Sequence, residues 1–139
     1  MGRINVGRVI LGGLLAGLII NVSETVLNLV VVAQPMEDAL RARNLPPLGL
    51  SPIMGFVVLA FILGIVTIWL YAAIRPRFGP GVGAAVISGL AVWFFAYLYN
   101  ATSMALMGLF PAKVLAVATV WGLAEIVVAS VAGAWVYTE

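Results

Sequence analysis

Four long apolar runs, over about residues 9–32, 52–74, 83–109 and 113–137, leave this chain almost no choice of solvent. A helix needs roughly 20 apolar residues to cross about 30 Å of hydrocarbon, and each run meets that length. Backbone inside a bilayer has to satisfy its own hydrogen bonds, so the runs are expected as helices. The fold class that follows is an all-α membrane protein, a four-transmembrane-helix bundle forming a single domain over 1–139. Composition agrees: hydrophobic residues make up 64% and charged residues 9%, against about 45–50% and about 25% in soluble domains. Mean hydropathy is +1.19.

The connections set the topology. Residues 33–51 hold Glu37, Asp38, Arg41 and Arg43 ahead of Pro46-Pro47. Their 36–43 part is expected to form two turns of interfacial helix, acids toward its N-terminal end and arginines toward its C-terminal end. It would cap the bundle or close as a lid over a polar site. Residues 74–81, Ile-Arg-Pro-Arg-Phe-Gly-Pro-Gly, read as a short stiff loop with Arg75 and Arg77 facing the headgroups. The third connection, around Phe110-Pro111-Ala112-Lys113, is also short. Arg3, Arg8, Arg75 and Arg77 then lie on one side, and Arg41, Arg43 and Lys113 on the other. This balance, with arginines directly flanking the first two runs, places both termini on the cytoplasmic side of an inner (plasma) membrane. Trp69 and Tyr71, with Trp135 and Tyr137, are expected as an aromatic belt on that side. The first run is too long for a signal-peptide core and no A-x-A-like site follows it, so it reads as a retained signal-anchor. Val6 departs from the myristoylation pattern.

The chain has neither cysteine nor histidine. This removes disulfides, thiolate metal sites, imidazole acid/base chemistry and the usual haem ligands, and no cofactor is expected. No nucleophile, metal set or phosphate-binding loop accompanies the acids, so an enzyme is not expected. The lysines and arginines form no patch that would hold nucleic acid.

Within the runs, residues recur at helical spacing. Gly13, Gly17, Asn21, Glu24 and Asn28 fall within about 80° of arc on one helix. The third run has Ala85, Gly89, Trp93, Ala96 and Asn100, and the fourth has Ala118, Gly122, Glu125, Ala129 and Gly133. Small residues so spaced let membrane helices approach closely, so Gly13, Gly17, Gly89, Gly122 and Gly133 are expected at helix contacts. The second run is bulky apart from Gly55, Ala60 and Gly64, and Thr67 is its interior polar residue. It is expected to face lipid or a neighbouring subunit more than the others do. Trp69-Leu-Tyr71 is echoed by Trp135-Val-Tyr137, and Gly17 with Asn28 by Gly89 with Asn100. These matches suggest two repeated helical hairpins related by a parallel two-fold.

The polar members of the stripes carry the functional expectation. At 1.5 Å per residue, Glu125 and Asn21 lie near mid-membrane, with Glu24, Asn28 and Asn100 toward the outer half. All five are expected to converge into one ligand- or proton-binding site. An acid at the bilayer centre costs roughly 2.5–3.5 kcal/mol on the gentlest scale. No Lys, Arg or His lies inside the spans to offset it. The carboxyls must then be protonated, share a proton, or receive a positive charge from a ligand, an ion or another subunit. The competing structural role is interhelical glue, at about 0.6 kcal/mol per contact. Asn21-Val-Ser23 and Asn100-Ala-Thr102 match the glycosylation sequon but lie inside spans.

Two functions compete on this basis. One is a site that binds protons, a cation or a small ligand, as in a proton-coupled transporter. The alternative is a non-catalytic accessory or scaffold subunit. The partners expected are the lipid bilayer and either a second copy, as a homodimer, or a larger membrane complex. Four spans and a glutamate on the first helix resemble the small multidrug resistance transporters, which use such an acid for proton/drug exchange. The second membrane acid, the long first loop and the 74–81 motif depart from that family, and the resemblance is not adopted. The 74–81 motif together with Asn21-x-x-Glu24 resembles small bacterial four-span inner-membrane proteins, which implies the architecture alone.

Overall fold

The computed structural model describes residues 3–138. It is an all-α four-helix bundle, 85% helical, with no strand among the described residues. The membrane-length helices are α1 (Val6–Val31), α3 (Leu50–Phe78), α4 (Val82–Leu106) and α5 (Ala112–Val136), each long and apolar enough to cross a bilayer. A short helix, α2 (Ala33–Ala42), follows α1. Because α1, α3, α4 and α5 alternate in direction, both chain termini lie at one end of the bundle, and α2 lies at the far end.

Local chemistry sets the helix ends. Asn5 caps α1, its side-chain oxygen accepting the Arg8 backbone N–H at 3.2 Å. Helix α2 begins at Ala33, earlier than residue 36, because Pro35 falls in the first turn, where no carbonyl awaits its missing N–H. The acids Glu37 and Asp38 therefore sit in the second turn. There Glu37 pairs with Arg41 at 2.5 Å, and Asp38 accepts from Gln34 at 3.0 Å. Helix α3 overruns the expected loop and continues through Pro76 to Phe78. A proline this close to the C-terminus removes one of the last backbone bonds, and Gly79 at φ 82° then ends the helix. Gly81, at φ 110°, donates its N–H to the Tyr71 hydroxyl at 3.2 Å.

The glycine contacts identify which faces meet. Gly13 and Gly17 lie against Ile65 and Phe61 of α3, and Gly64 of α3 fits against the α1 backbone at Gly13 and Gly17. Gly12 and Gly133 bring the backbones of α1 and α5 together. Gly89 packs closely on Ile126 and Ser130 of α5, where a Cβ would sit a tight 3.3 Å from the Ile126 carbonyl oxygen and the Ser130 Cβ. Two buried hydroxyls tie neighbouring helices: Ser88 donates to the Thr67 carbonyl at 2.6 Å and Ser130 to the Ala85 carbonyl at 2.7 Å. Helix α3 is thus no outlier. The most apolar window of α3 is 22% buried, equal to that of α1, while α5 at 39% is the most enclosed. The bulk of Phe61 and Ile65 is what α1's glycines accommodate, so one smooth face serves two helices.

The aromatic belt divides by residue type. Trp69 and Trp135 are exposed at 52% and 75%, whereas Tyr71 and Tyr137 are buried at 3% and 4%. The two tyrosine rings meet edge to face at 5.9 Å, and the Tyr137 hydroxyl accepts the Asn5 N–H at 3.3 Å. Arg77 is exposed, but Arg75 folds inward with its guanidinium 5.5 Å from the Tyr137 ring centre. Tyrosine hydroxyls find backbone partners here, which makes burial favourable where tryptophan stays at the surface.

Burial is concentrated in the half of the bundle nearer the termini. No residue of α3 before Gly64 is buried, and none of α4 after Val92. In the far half a small closed core forms around Leu27, Val32 and Val114, with Met36 of α2 and Val117, Ala118 and Trp121 of α5 packed against it. The bundle is a wedge, sealed at the terminal end and splayed toward α2.

Candidate functional site

Glu125 projects from α5 about 20 Å from the helix start, close to mid-membrane. It is 5% exposed. Its Oε1 accepts the Tyr97 hydroxyl of α4 at 2.6 Å. Its Oε2 is buried and receives no well-formed hydrogen bond from the described residues. Beside it lie the carboxyl of Glu24 and the hydroxyl of Ser23, both from α1. Ser23 is oriented in turn by the Trp121 indole N–H, which donates to its Oγ at 2.9 Å. Three helices therefore supply one polar cluster at the apex of the wedge.

Glu24 is half-buried and has its own donor. The Asn28 amide reaches Glu24 Oε2 at 3.0 Å and the Glu24 backbone carbonyl at 2.8 Å. The second is an ordinary bond to the carbonyl one turn back, and Asn28 itself lies in a π turn, Leu27–Val31. A second π turn, Phe94–Leu98, lies in α4 and contains Tyr97. The side chains that donate to the two carboxyls, Asn28 and Tyr97, thus both sit in π turns.

Space for Tyr97 is made by Gly122 of α5. A Cβ there would meet the Tyr97 ring, 2.5 Å from Cε1 and 3.0 Å from Cγ. Gly122 is therefore a clearance for the Tyr97 ring more than a backbone contact. Nearby, Trp93 donates its indole N–H to the Thr119 carbonyl at 2.9 Å, which holds α4 against α5 one turn away.

The five polar residues expected to converge are placed as follows. Glu24 and Glu125 are neighbours across α1 and α5, and Asn28 holds Glu24. Asn21 turns aside to bridge helices, donating to the Gly17 carbonyl at 3.0 Å and to Val57 of α3 at 3.3 Å. Asn100 is exposed, makes no hydrogen bond among the described residues, and lines a shallow groove of about 160 Å³ with Tyr97 and Thr119. The extra residue in the α4 π turn rotates everything beyond it by about 100°, carrying Asn100 off the stripe it would share in a regular helix. Tyr97, Ser23 and Trp121 were not expected from the sequence. Tyr97 follows Trp93 by four residues and so had the right spacing, but the register slip was invisible.

Among the described residues, no group of three or more His, Cys, Asp or Glu could hold a metal ion. No family model, curated protein or solved structure matches the chain.

Proposed function

We propose that this chain is a small proton-coupled membrane transporter whose ligand at the Glu24–Glu125 pair is a proton. The carrying observation is the contact between two carboxyls from different helices with no cation beside them. Two carboxylates in contact repel, whereas one proton between them turns the contact into a hydrogen bond. Tyr97 donates to Glu125 Oε1 and Asn28 to Glu24 Oε2, which leaves the buried Glu125 Oε2 without a donor and able to take the shared proton. A hard metal ion would need six or more oxygen ligands in open geometry. Here there are two neighbouring carboxyls, and the side chains bonded to them, Tyr97 and Asn28, act as donors.

The position of the pair supports transport. It lies where the sealed half of the wedge meets the splayed half, the level at which an alternating-access protein holds its ion. In this reading the structure is the state closed toward the termini. Both termini are cytoplasmic in an inner membrane, so the pair loads from the outer side and releases inward when the wedge inverts.

The test uses the full chain in vesicles containing an entrapped pH dye, with proton movement driven by a potassium diffusion potential. Glu24→Gln and Glu125→Gln should each abolish proton flux while helical content and elution profile stay unchanged. Wild-type flux in both variants would refute the proposal.

A further inference from the structure

At the far end, Arg43 leaves the C-terminus of α2 and crosses to the α4–α5 connection. It donates to the Gly108 carbonyl at 2.8 Å and to Ala39 at 3.2 Å, and its guanidinium lies 5.5 Å from the Phe110 ring centre. This strut spans a groove of about 770 Å³ between α2 and the first turns of α5. The volume falls within the range of about 300–1,000 Å³ typical of small-molecule sites. Its wall is aliphatic and aromatic, formed by Val32, Val114, Val117 and Phe110, and its rim carries Arg43 and Lys113.

The charges on that rim are unequal. Asp38, the acid of the groove, is held by Gln34 on its own helix. Lys113 makes no hydrogen bond or ion pair among the described residues. Arg43 spends two N–H groups on carbonyls and keeps its full charge. With Arg43 and Lys113 against the one acid Asp38, the groove keeps a net positive charge at its mouth and is apolar below, at the level where membrane helices end and headgroups begin. A phospholipid has the same gradient, from phosphate to acyl chain, and is the molecule that surrounds this groove in a bilayer.

We infer that the groove between α2 and α5 is a binding site for an anionic phospholipid, its phosphate at Lys113 and Arg43 and its acyl chain along Val114 and Val117. The bound lipid fills the gap under α2 and fixes that helix across the far end of the wedge. This site is separate from the carboxyl pair and does not depend on the transport proposal.

The experiment uses the full chain in nanodiscs with spin-labelled phosphatidylglycerol or phosphatidylcholine, reading the motionally restricted lipid fraction. Wild type should prefer phosphatidylglycerol, and Lys113→Gln should reduce that preference about fivefold, the loss of one near-surface cation. Val117→Trp, which fills the groove without changing charge, should lower the restricted fraction of both lipids. Equal restriction of the two lipids by wild type would overturn the proposal. So would an unchanged preference in Lys113→Gln, or displacement of the label by millimolar inorganic phosphate, which would assign the site to a free anion. Arg43 is left intact in these variants because it also ties α2 to the α4–α5 connection.

Discussion

Gly122→Ala is the smallest change that separates the site from the fold. The added Cβ would lie 2.5 Å from Tyr97 Cε1 and closer still to Cδ1. Van der Waals contact between carbons needs about 3.5 Å, so the ring has to move by roughly 1 Å or more. The Tyr97–Glu125 bond at 2.6 Å cannot survive that, since O–H···O bonds span about 2.5–3.0 Å. Overpacking contributes about 1–3 kcal/mol, and losing a hydrogen bond to a buried carboxyl about 1.5–3 kcal/mol. The expected destabilisation is therefore about 2.5–6 kcal/mol, read by reversible unfolding in mixed micelles. Tyr97→Phe removes only the hydroxyl and should cost about 1.5–3 kcal/mol. The double variant then tests the cause. If both substitutions break the same bond, their effects overlap, with a coupling energy of about 1 kcal/mol or more. Strict additivity, or a cost for Gly122→Ala below about 1 kcal/mol, would refute the role given to Gly122.

Other glycines should rank by what a Cβ would strike. Gly64→Ala drives into the α1 backbone at Gly13 and Gly17 and should cost at or beyond the upper end of about 1–3 kcal/mol, while Gly89→Ala, whose Cβ would need α5 to give by only a few tenths of an ångström, should cost clearly less in the same unfolding assay. Asn21→Ala removes the bridge to Val57 and should cost about 0.6 kcal/mol with proton flux retained, since Asn21 does not touch the carboxyls. Because the chain has no cysteine, topology can be read by single-site labelling. A membrane-impermeant maleimide should label Leu45→Cys but not Arg77→Cys in intact cells, and the reverse pattern would invert the proposed orientation.

The fold was legible in the sequence because four apolar runs in a bilayer admit one kind of structure. The packing faces were legible where glycine alone decides them, as at Gly13 and Gly17. What sequence could not show was the complementary surface: Gly64 looked incidental on a bulky helix, yet it completes the closest contact of α1. The site was half-visible for a related reason. Glu24 and Glu125 stood out by charge, and α-helical spacing aligned Asn28 with Glu24. Regular spacing also aligned Asn100, which the α4 π turn rotates away while it holds Tyr97 on Glu125. Helical irregularities of one residue leave no mark in a hydrophobic pattern, and here they decide which polar group reaches the acid. Tyr71 and Tyr137 were misplaced at the surface because a tyrosine at a helix end looks alike whether its hydroxyl meets headgroups or a backbone N–H.

The most direct test of the shared proton is infrared spectroscopy of the purified chain at neutral pH. Wild type should show a protonated carboxyl carbonyl band that shifts in deuterated water and changes position or intensity in both Glu24→Gln and Glu125→Gln, because either substitution removes one half of the pair. Absence of that band in wild type, or a band unchanged in both variants, would contradict the account.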